Sequence, residues 1–547
     1  MTARGACDLS ATADRTATDR TATEGASAHR TAMDGAATEG AASRRTASDR
    51  PIEAEVVVVG AGACGAAATW RLASAGVDVV AVEAGPWLGA QDFGFASADY
   101  AARRAGPLHE NPNVRAGTWD LPVDDADSPI KASTGNAVGG TTLWWAAHIP
   151  RFREGDFLGH TGGAAWPITH DDIAAHYAVN EEMMGLAAHR GDPAGPARDA
   201  AQALRQLPPL GPLGTAMSAA FDRLGWHHWP VELARGAGDL CTHDGPCDAG
   251  CPARIAAGAD RCYMAPAVAA GARVLTGLRA QRLELWDGRV SGVLCATDGG
   301  TVRLAARRVI LAAGGLGTPR LLLLSEAANR SGQVGRNLML HPHAQVEGAI
   351  PLPADAAIAR GQKAGLVCLE FLRPDPARRL SAGFKMQLVP EAARTEAPGR
   401  AGPGTVRARL NICVEDRPEE GNEVTLSGRL ADRDGLPAAR MSYRLSAETR
   451  GALDFGIARA DELLRVAGAQ AVAVEPLKRQ AGFHIMGTAR MGTDPETSVT
   501  DPFGRCHDVA NLFITDPSVF VTASAMNPTA TAQALALRTA DHILAER

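Results

Sequence analysis

The segment from Glu55 to Gly85 reads EVVVVGAGACGAAATWRLASAGVDVVAVEAG, and the rest of the chain is organised around it. Val56–Val59 is an uninterrupted β-branched run, which is typical of a strand that is buried on both faces. Gly60, Gly62 and Gly65 follow it with G-x-G-x-x-G spacing. In that order, the glycines allow a tight turn, a close approach of the backbone to a pyrophosphate, and close packing of the next helix.

The residues that follow complete a nucleotide-binding unit. Ala66–Ala75 is predicted to form a helix whose N-terminal amides and dipole face the phosphates. A second apolar strand, Val77–Val82, ends at Glu83, where a carboxylate can accept hydrogen bonds from a ribose. The order strand, glycines, helix, strand and acid predicts a dinucleotide site, but it does not choose between FAD and NAD.

Composition narrows the class of protein. A chain of 547 residues, 46% of them hydrophobic, is long enough for two or three domains with a large core. A net charge of −6 gives no reason to expect nucleic-acid binding. No apolar run is long enough to span a membrane. Ten cysteines are too sparse for a disulfide scaffold, and we expect a cytoplasmic protein.

The domain organisation follows from changes in pattern along the chain. Residues 1–50 are low-complexity TAT/TAS units, which predict a disordered tail or a misassigned start. We expect a nucleotide-binding domain over 51–344, including cofactor-wrapping loops and a cysteine segment at 241–262. Mixed strands and polar loops over 345–480 predict a substrate domain, and 481–547 should return to the first domain. The fold class is therefore α/β, Rossmann-like, with a second α+β domain built on a sheet.

Several single elements can also be predicted. Periodicity favours helices at Asp171–Met184, with a cap at Thr169, and at Ala447–Val466 and Thr529–Leu544. Ile310–Pro319 reads as an apolar strand that runs into a glycine turn before a short helix.

A second glycine-rich stretch, STGNAVGGTTLWWAAHIPRF, covers Ser133–Phe152. It makes a loop rich in hydroxyl groups and exposed backbone, which suits phosphates or a polar ring edge. A glycine turn ahead of a buried tryptophan pair is the alternative interpretation. The candidate cofactor residues in this loop are Asn136, Gly139, Gly140 and Thr141.

Further motifs follow in a recognisable order. They are GLGTPRLLLLS at Gly315–Ser325, GRNLMLHP at Gly335–Pro342, HIMGTARMG at His484–Gly492, NLFITDPSVF at Asn511–Phe520 and MNPTATAQALALR at Met526–Arg538. With these motifs, residues 53–547 resemble the glucose–methanol–choline (GMC) family of FAD-dependent alcohol oxidoreductases. The resemblance implies FAD rather than NAD. The 133–152 stretch looks most like the branch that oxidises sugars and polyols, such as pyranose oxidase and gluconate, fructose or glucose dehydrogenases.

The resemblance assigns the chemistry to two residues near the C-terminus. Alcohol oxidation removes a proton from oxygen and a hydride from carbon, and an imidazole can accept the proton near neutral pH. His484 matches the family's catalytic histidine, and Asn527 matches its active-site partner, which would orient the substrate oxygen. His341, His343 and His507 lack such a context and are expected to be structural.

Other positions are implied to hold the cofactor. Asp516 matches a position near the FAD, and Pro528 and Thr529 begin the last predicted helix beside it. Trp144 stands where related enzymes usually carry a histidine, which in some of them is linked covalently to the flavin. Because tryptophan cannot form that link, we expect FAD to be bound non-covalently.

Cys241, Cys247 and Cys251 form a C-x5-C-x3-C pattern directly before Pro252. Structural zinc sites use other spacings and four ligands, and bacterial ferredoxin clusters use C-x2-C. The spacing resembles that of glucose dehydrogenases whose three cysteines hold a three-iron cluster. The alternative is a thiol-containing loop near the flavin without iron, and Cys262 is a more distant fourth thiol.

The predicted function is oxidation of a CH–OH group to a carbonyl in a sugar, a polyol or a sugar-like secondary metabolite. The hydride would pass to flavin N5, with His484 as the base. A sterol or other bulky apolar alcohol is the alternative substrate, and a catalytically inactive flavin-binding partner protein is the alternative class. The electron acceptor would be a protein, a quinone or oxygen, with a dehydrogenase favoured over an oxidase because of the cysteine spacing.

Overall fold

A computed structural model gives the fold of this chain. It describes residues 51–93, 105–106, 109–159, 165–236, 256–352, 365–389, 404–469 and 472–547. The predicted tail at 1–50 and the cysteines Cys241, Cys247 and Cys251 lie outside the described residues.

The strands and helices are numbered along the chain. The strands are β1 Ile52–Val59, β2 Val79–Glu83, β3 Val123–Asp124, β4 Leu186–Ala187, β5 His228–Pro230, β6 Leu233–Ala234, β7 Arg273–Thr276, β8 Arg279–Trp286, β9 Arg289–Thr297, β10 Gly300–Leu311, β11 His343–Pro351, β12 Leu366–Cys368, β13 Phe384–Val389, β14 Thr405–Val414, β15 Glu423–Ala431, β16 Pro437–Ser442, β17 Val472–Glu475 and β18 Leu512–Ile514. The helices are α1 Ala63–Ala73, α2 Pro112–Arg115, α3 Asp171–Met183, α4 Gly211–Leu224, α5 Ala265–Ala269, α6 Gly314–Leu324, α7 Ala447–Val466 and α8 Thr529–Ala545.

The first sheet has the order β7-β2-β1-β10-β9-β8, and β18 also pairs with β10. Strands β7, β2, β1, β10 and β18 run parallel, whereas β9 and β8 are added in antiparallel pairs. Val59 lies opposite both Val82 and Leu311, so these strands end at one edge. Open parallel sheets bind ligands outside the carboxyl ends of their strands, and the glycine loop begins at that edge.

The second sheet has the order β17-β11-β14-β13-β12-β5 and is antiparallel throughout. Because side chains alternate between the two faces of a strand, neighbouring strands divide this sheet into an apolar face and a polar face. Ala344, Ile412 and Met386 form one buried row of the apolar face, which α7 covers. Gly456 of α7 is where the helix lies against the sheet, since a Cβ there would be 2.6 Å from Ile412 Cγ2.

The polar face of the second sheet carries two rows of side chains. His343, Cys413 and Lys385 lie in register across β11, β14 and β13. Gln345, Asn411 and Gln387 form the next row. Smaller sheets are β15-β16-β3 and β4-β6.

The predicted fold class is confirmed: a parallel nucleotide-binding sheet is joined by a second sheet with helices on one face. Helix α7 has the predicted bounds, and α8 ends one residue later than predicted. The proposed domain boundaries stay predictions. None of the helices in the described residues is long and apolar enough to cross a membrane.

Two local predictions were wrong. Thr169 does not cap α3; its amide and hydroxyl instead donate to the Asp172 carboxylate, at 2.7 and 2.8 Å. The predicted glycine turn before Arg320 is already helical, because α6 begins at Gly314 and contains Pro319. Pro319 lies inside the helix and cannot donate to the Gly315 carbonyl, which instead accepts a hydrogen bond from the Thr488 hydroxyl at 2.9 Å.

Candidate functional site

The first glycine loop is closed to side chains at both ends. Gly60 has a φ of +99°, and a Cβ there would be 2.4 Å from the Ala312 carbonyl oxygen. A Cβ on Gly65 would be 1.9 Å from the Gly60 oxygen. Glycine is therefore required at both positions, because β1, α1 and the end of β10 approach each other with no room for a methyl group.

The second glycine loop packs directly on the first. Gly139 donates its amide to the Ala61 carbonyl at 2.8 Å. A Cβ on Gly140 would be 2.9 Å from the Gly62 Cα, whereas a Cβ on Gly62 would meet only Gly140, at 3.7 Å. Gly62 thus borders free space, which is the space a pyrophosphate would need.

The remaining candidates of that loop have different surroundings. The side-chain amide of Asn136 donates to the Trp119 carbonyl at 3.2 Å. The backbone carbonyl oxygen of Asn136 packs so closely on Gly85 that a Cβ there would be 1.9 Å from it. Thr141 is exposed in a short 3₁₀ turn. Both residues lie at the same edge of the parallel sheet as the glycines, Asn136 against the segment after β2.

Glu83 ends β2 and is buried, with 7% exposure. Its two carboxylate oxygens accept amide hydrogens from Ala61 at 2.9 Å and from Gly85 at 3.0 Å. Burial raises the pKa of Glu83 to about 7, and the amides of Gly85 and Ala61 act against that rise. The acid therefore ties the glycine loop to the end of the neighbouring strand.

Asp516 follows β18 and is also buried. Its carboxylate accepts hydrogen bonds from the Gly314 amide at 2.9 Å and the Thr318 hydroxyl at 2.5 Å, and from the amide and hydroxyl of Ser518. Burial raises its pKa. Asp516 thus fixes the N-terminus of α6 at the edge where β10 and β18 end.

Helix α8 begins at Thr529, directly after Pro528 and Asn527. It packs against α1, and Gln533 donates to the Ala63 carbonyl at 3.4 Å. Two long helices thus start close to the glycine loops. Free space at Gly62, a terminal carboxylate and two helix N-termini fit a dinucleotide, whose phosphates need amide donors and whose ribose needs an acceptor.

A chain of two histidines lies near the start of α8. His341 Nε2 is 2.8 Å from the Ser524 carbonyl oxygen, which can only accept a hydrogen bond, so Nε2 carries the hydrogen. In neutral His341, Nδ1 is then an acceptor. His484 Nδ1 lies 2.8 Å from it and must donate. His484 Nε2 therefore keeps its lone pair, which is the state of a general base.

The surroundings favour the neutral form of these rings. Burial, together with the charge of Lys385, lowers the pKa of His341 to about 4. The pKa of His484 and that of His343 lie well below the ordinary value, mainly because of burial and secondarily because of neighbouring histidines and Lys385. His343 is fixed by donating from Nδ1 to the His341 carbonyl at 2.5 Å.

Lys385 joins this cluster to Asn527. Its ammonium donates to Asn527 Oδ1. One row further along the same face, Gln387 contacts His148, with Nε2 3.0 Å from the His148 ring. Burial and Lys385 lower the pKa of His148 to about 3.

A pocket opens beside these side chains. Its wall includes Asn527, Lys385, Gln387 and His148, together with Arg153 and Trp229. Apolar side chains such as Val367 and Met526 complete the wall, so the pocket has the mixed polar and apolar lining that is usual for small-molecule sites.

Comparison with known families identifies the fold and the chemistry. Residues 54–343 and 418–536 match the N-terminal and C-terminal family models that are described as GMC oxidoreductase. This chain belongs to the GMC oxidoreductase family. The resemblance predicted from the sequence motifs is confirmed, and the family supports FAD as the cofactor.

Two relatives of this GMC oxidoreductase are similar over most of their length. The chain is 31% identical to a 2-methyl-1,2-propanediol dehydrogenase of Mycolicibacterium austroafricanum, over 90% of this chain and 95% of that protein. It is also 31% identical to a 6'''-hydroxyparomomycin C oxidase of Streptomyces lividus, over 90% and 92%. Among solved structures, formate oxidase of Aspergillus oryzae has a TM-score of 0.62 at 17% identity, covering 91% of this chain and 99% of that one. That last similarity concerns the fold alone.

The structure brings the predicted residues into two groups. The glycines, Glu83 and Asp516 lie along one edge of the parallel sheet. His484 and Asn527 both border the cluster around Lys385 and His341. Trp144 lies apart from that cluster, with Phe93 at 6.3 Å and the Arg115 guanidinium at 5.8 Å from its ring.

Sequence reasoning missed several members of the cluster. His341 belongs to a family motif but was expected to be structural, although it bonds to His484. Lys385 and Gln387 were not noticed, yet they alternate with apolar residues in FKMQLV, and that alternation predicts a strand with a polar face. His148 gave no signal beyond its place in the second glycine-rich stretch. The cysteine triad lies outside the described residues, and among the residues described no group of side chains could hold a metal ion.

Proposed function

We propose that this GMC oxidoreductase oxidises a secondary or primary alcohol of a polyol or sugar-like molecule, with His484 as the base. The observation that carries the proposal is the hydrogen-bond chain from the Ser524 carbonyl through His341 to His484. That chain leaves the Nε2 lone pair of His484 available, and Lys385, which donates to Asn527, acts through its charge on the same ring.

The roles of the side chains follow from their bonding. His484 Nε2 accepts the hydroxyl proton, and His341 keeps the ring in the tautomer that can do so. The Asn527 amide donates to the substrate oxygen and opposes the negative charge that grows there as the proton leaves. Bound FAD supplies the acceptor for the hydride that leaves the substrate carbon, so one C–H and one O–H bond break as the C=O bond forms.

The pocket favours a substrate with several hydroxyl groups. Gln387, His148 and Arg153 present polar groups, and burial lowers the pKa of Arg153. Arg153 Nε has no hydrogen-bond partner among the described residues, and a bulky apolar alcohol such as a sterol would cover it without supplying one, which is costly. The named substrates of the relatives, a short diol and an aminoglycoside, are polar alcohols too.

An anaerobic screen tests this function directly. Purified FAD-loaded protein is mixed with vicinal diols, monosaccharides, amino sugars and a sterol, and the flavin absorbance is followed. We expect bleaching by a diol or sugar-type alcohol and none by the sterol. Bleaching by the sterol alone would overturn the substrate class. No bleaching by any alcohol would favour the catalytically inactive flavin-binding partner.

The electron acceptor is a separate question. If Cys241, Cys247 and Cys251 held an iron–sulfur cluster, electrons would leave singly to a partner protein or a quinone, and oxygen use would be slow. Iron and sulfide analysis of anaerobically purified protein, with electron paramagnetic resonance, tests this. Absence of iron together with stoichiometric hydrogen peroxide would identify an oxidase.

We also propose that FAD is held non-covalently, because Trp144 cannot form the histidine link. Acid precipitation should then release free FAD into the supernatant. Flavin that stays with the precipitated chain would show a covalent bond elsewhere.

The cytoplasm is the expected compartment, since Cys64, Cys295, Cys368, Cys413 and Cys506 are buried free thiols.

A further inference from the structure

A buried lysine lies among the groups that would handle the substrate oxygen. We propose that Lys385 is a positioning residue for alcohol oxidation, which holds the Asn527 amide with its NH2 group toward the substrate oxygen and keeps His484 neutral. This proposal rests on the proposed function. It concerns β13, a strand to which the sequence motifs of the family assign no role.

The position of Lys385 is costly for the fold. Its side chain is only 3% exposed, and among the described residues it forms no ion pair. Burial lowers its pKa, against a small opposing effect of Cys413, which lies beside it in register on β14. The row on the other face of the same strands, Ala344, Ile412 and Met386, is buried and entirely apolar, so packing of this sheet does not require a charged side chain. A buried amine without a carboxylate destabilises the protein, and groups kept at such a cost are found most often at functional sites.

The bond to Asn527 settles which way the amide points. An ammonium has three hydrogens and no lone pair, so it can only donate, and Asn527 Oδ1 must face Lys385. The two hydrogens on Nδ2 are then what Asn527 offers to a bound alcohol. Without Lys385 the amide can rotate and present its oxygen to the substrate. An amide oxygen there would repel the growing negative charge.

The charge of Lys385 also acts on the histidines. It lowers the pKa of all four that surround the cluster, namely His484, His341, His343 and His148. The groups that lower the pKa of His484 are the other three histidines and Lys385, after burial itself, which has the largest effect. A cation near an imidazole disfavours a second positive charge, so neutral His484 persists to lower pH.

A pH profile separates this role from a merely structural one. In anaerobic stopped-flow experiments, the rate of flavin reduction by a reactive alcohol is measured from pH 4.5 to 8.5 for wild type and for Lys385→Met. The rate falls at low pH where the base becomes protonated, and we call this fall the acid limb. We expect the acid limb of the variant to lie at higher pH, toward the ordinary histidine value of about 6.5. The plateau rate should fall about tenfold or more, because the Asn527 amide is no longer fixed.

Two matched variants control the experiment. Lys385→Arg keeps a cation and a donor, and should return the acid limb toward that of wild type. Lys478→Met removes a lysine whose charge acts on His343, and it should leave the limb unchanged. Coincident acid limbs for wild type and Lys385→Met would overturn the proposal, and so would an equal shift in Lys478→Met. A wild type whose flavin no alcohol bleaches would instead overturn the proposed function.

A measurement on the unaltered protein covers the case in which Lys385→Met fails to fold. Histidine labelled with ¹⁵N is incorporated, and the His484 signal is assigned by its absence in His484→Gln. We expect His484 to remain neutral at pH 6, with the hydrogen on Nδ1. Protonation with a midpoint at or above 6.5 would overturn the proposal.

Discussion

The cofactor side and the substrate side of the site are built from different materials. At the parallel sheet, function depends on backbone: glycines without side chains, amides at helix N-termini, and carboxylates that hold loops. Beside the antiparallel sheet, it depends on side chains: some alternate along β11, β14 and β13, and His341, His484 and Asn527 lie in segments outside these strands. The first kind of site leaves a contiguous motif in the sequence, whereas the second is assembled from residues far apart in the chain.

The largest effect should come from filling the space between backbones on the cofactor side. Gly65→Ala would bring a methyl group to 1.9 Å from the Gly60 oxygen, so we expect loss of bound FAD altogether. Gly428→Ala is the matched control, because no atom lies within 4 Å of its Cβ position. Flavin content per chain, from absorbance after gel filtration, checks this. A fully FAD-loaded Gly65→Ala protein would contradict the packing described for this loop.

Gly62→Ala sharpens the same point. Its methyl group would touch only the Gly140 Cα, at 3.7 Å, so the chain should fold as before. FAD affinity should nevertheless fall, because the methyl group enters the space assigned to the pyrophosphate. Titration of the FAD-free variant with FAD measures this, and wild-type affinity would mean that the phosphates bind elsewhere.

Two adjacent residues of β13 compare the faces of the antiparallel sheet. Met386 is fully buried on the apolar face, so Met386→Ala should lower the free energy of unfolding by about 2–5 kcal/mol and leave KM for the alcohol nearly unchanged. Gln387→Ala removes a polar wall residue and should raise KM, at a cost of about 1 kcal/mol in stability. Urea unfolding and steady-state kinetics distinguish the two. The reverse pattern would contradict this division of the sheet.

Glu83→Gln tests the carboxylate that ties the first glycine loop to the end of β2. A carboxamide keeps one acceptor oxygen, so one of the amides of Ala61 and Gly85 would face an NH2 group. Losing a charged hydrogen bond costs about 1.5–3 kcal/mol, and we expect FAD to bind roughly 10–100-fold more weakly. Equal FAD dissociation constants for Glu83→Gln and wild type would show that this carboxylate does not support the loop.

The histidine cluster should make stability fall in mild acid. His341 has a pKa of about 4 when folded and about 6.5 when unfolded, so the unfolded chain binds more protons as pH falls below 6.5. Between pH 7 and pH 5 this histidine alone should lower the free energy of unfolding by about 2 kcal/mol. Glu83 and Asp416, each with a pKa raised to about 7, act in the opposite direction. The His341→Asn variant isolates the histidine effect, since its free energy of unfolding should fall less steeply with decreasing pH than that of wild type. Urea unfolding at several pH values measures this, and the same pH dependence in both proteins would contradict it.

These two sides also explain what the sequence could predict. The glycine spacing, Glu83 and the C-terminal motifs are contiguous, and each has a local physical reason, so the fold class and the cofactor edge followed from them. Lys385 becomes meaningful only because β13 lies beside β14 and opposite Asn527, and neither β13 nor β14 was predicted. His341 was placed in a motif, but its role depends on a contact with a residue 143 positions away.

The most direct test of the account is single-turnover reduction of the flavin in His484→Ala. The variant should bind FAD as wild type does, because His484 belongs to the side-chain half of the site. Anaerobic mixing with a reactive alcohol should then reduce its flavin at least about a hundredfold more slowly, the low end for removal of a general base. A variant that holds FAD and is reduced at the wild-type rate would contradict the account.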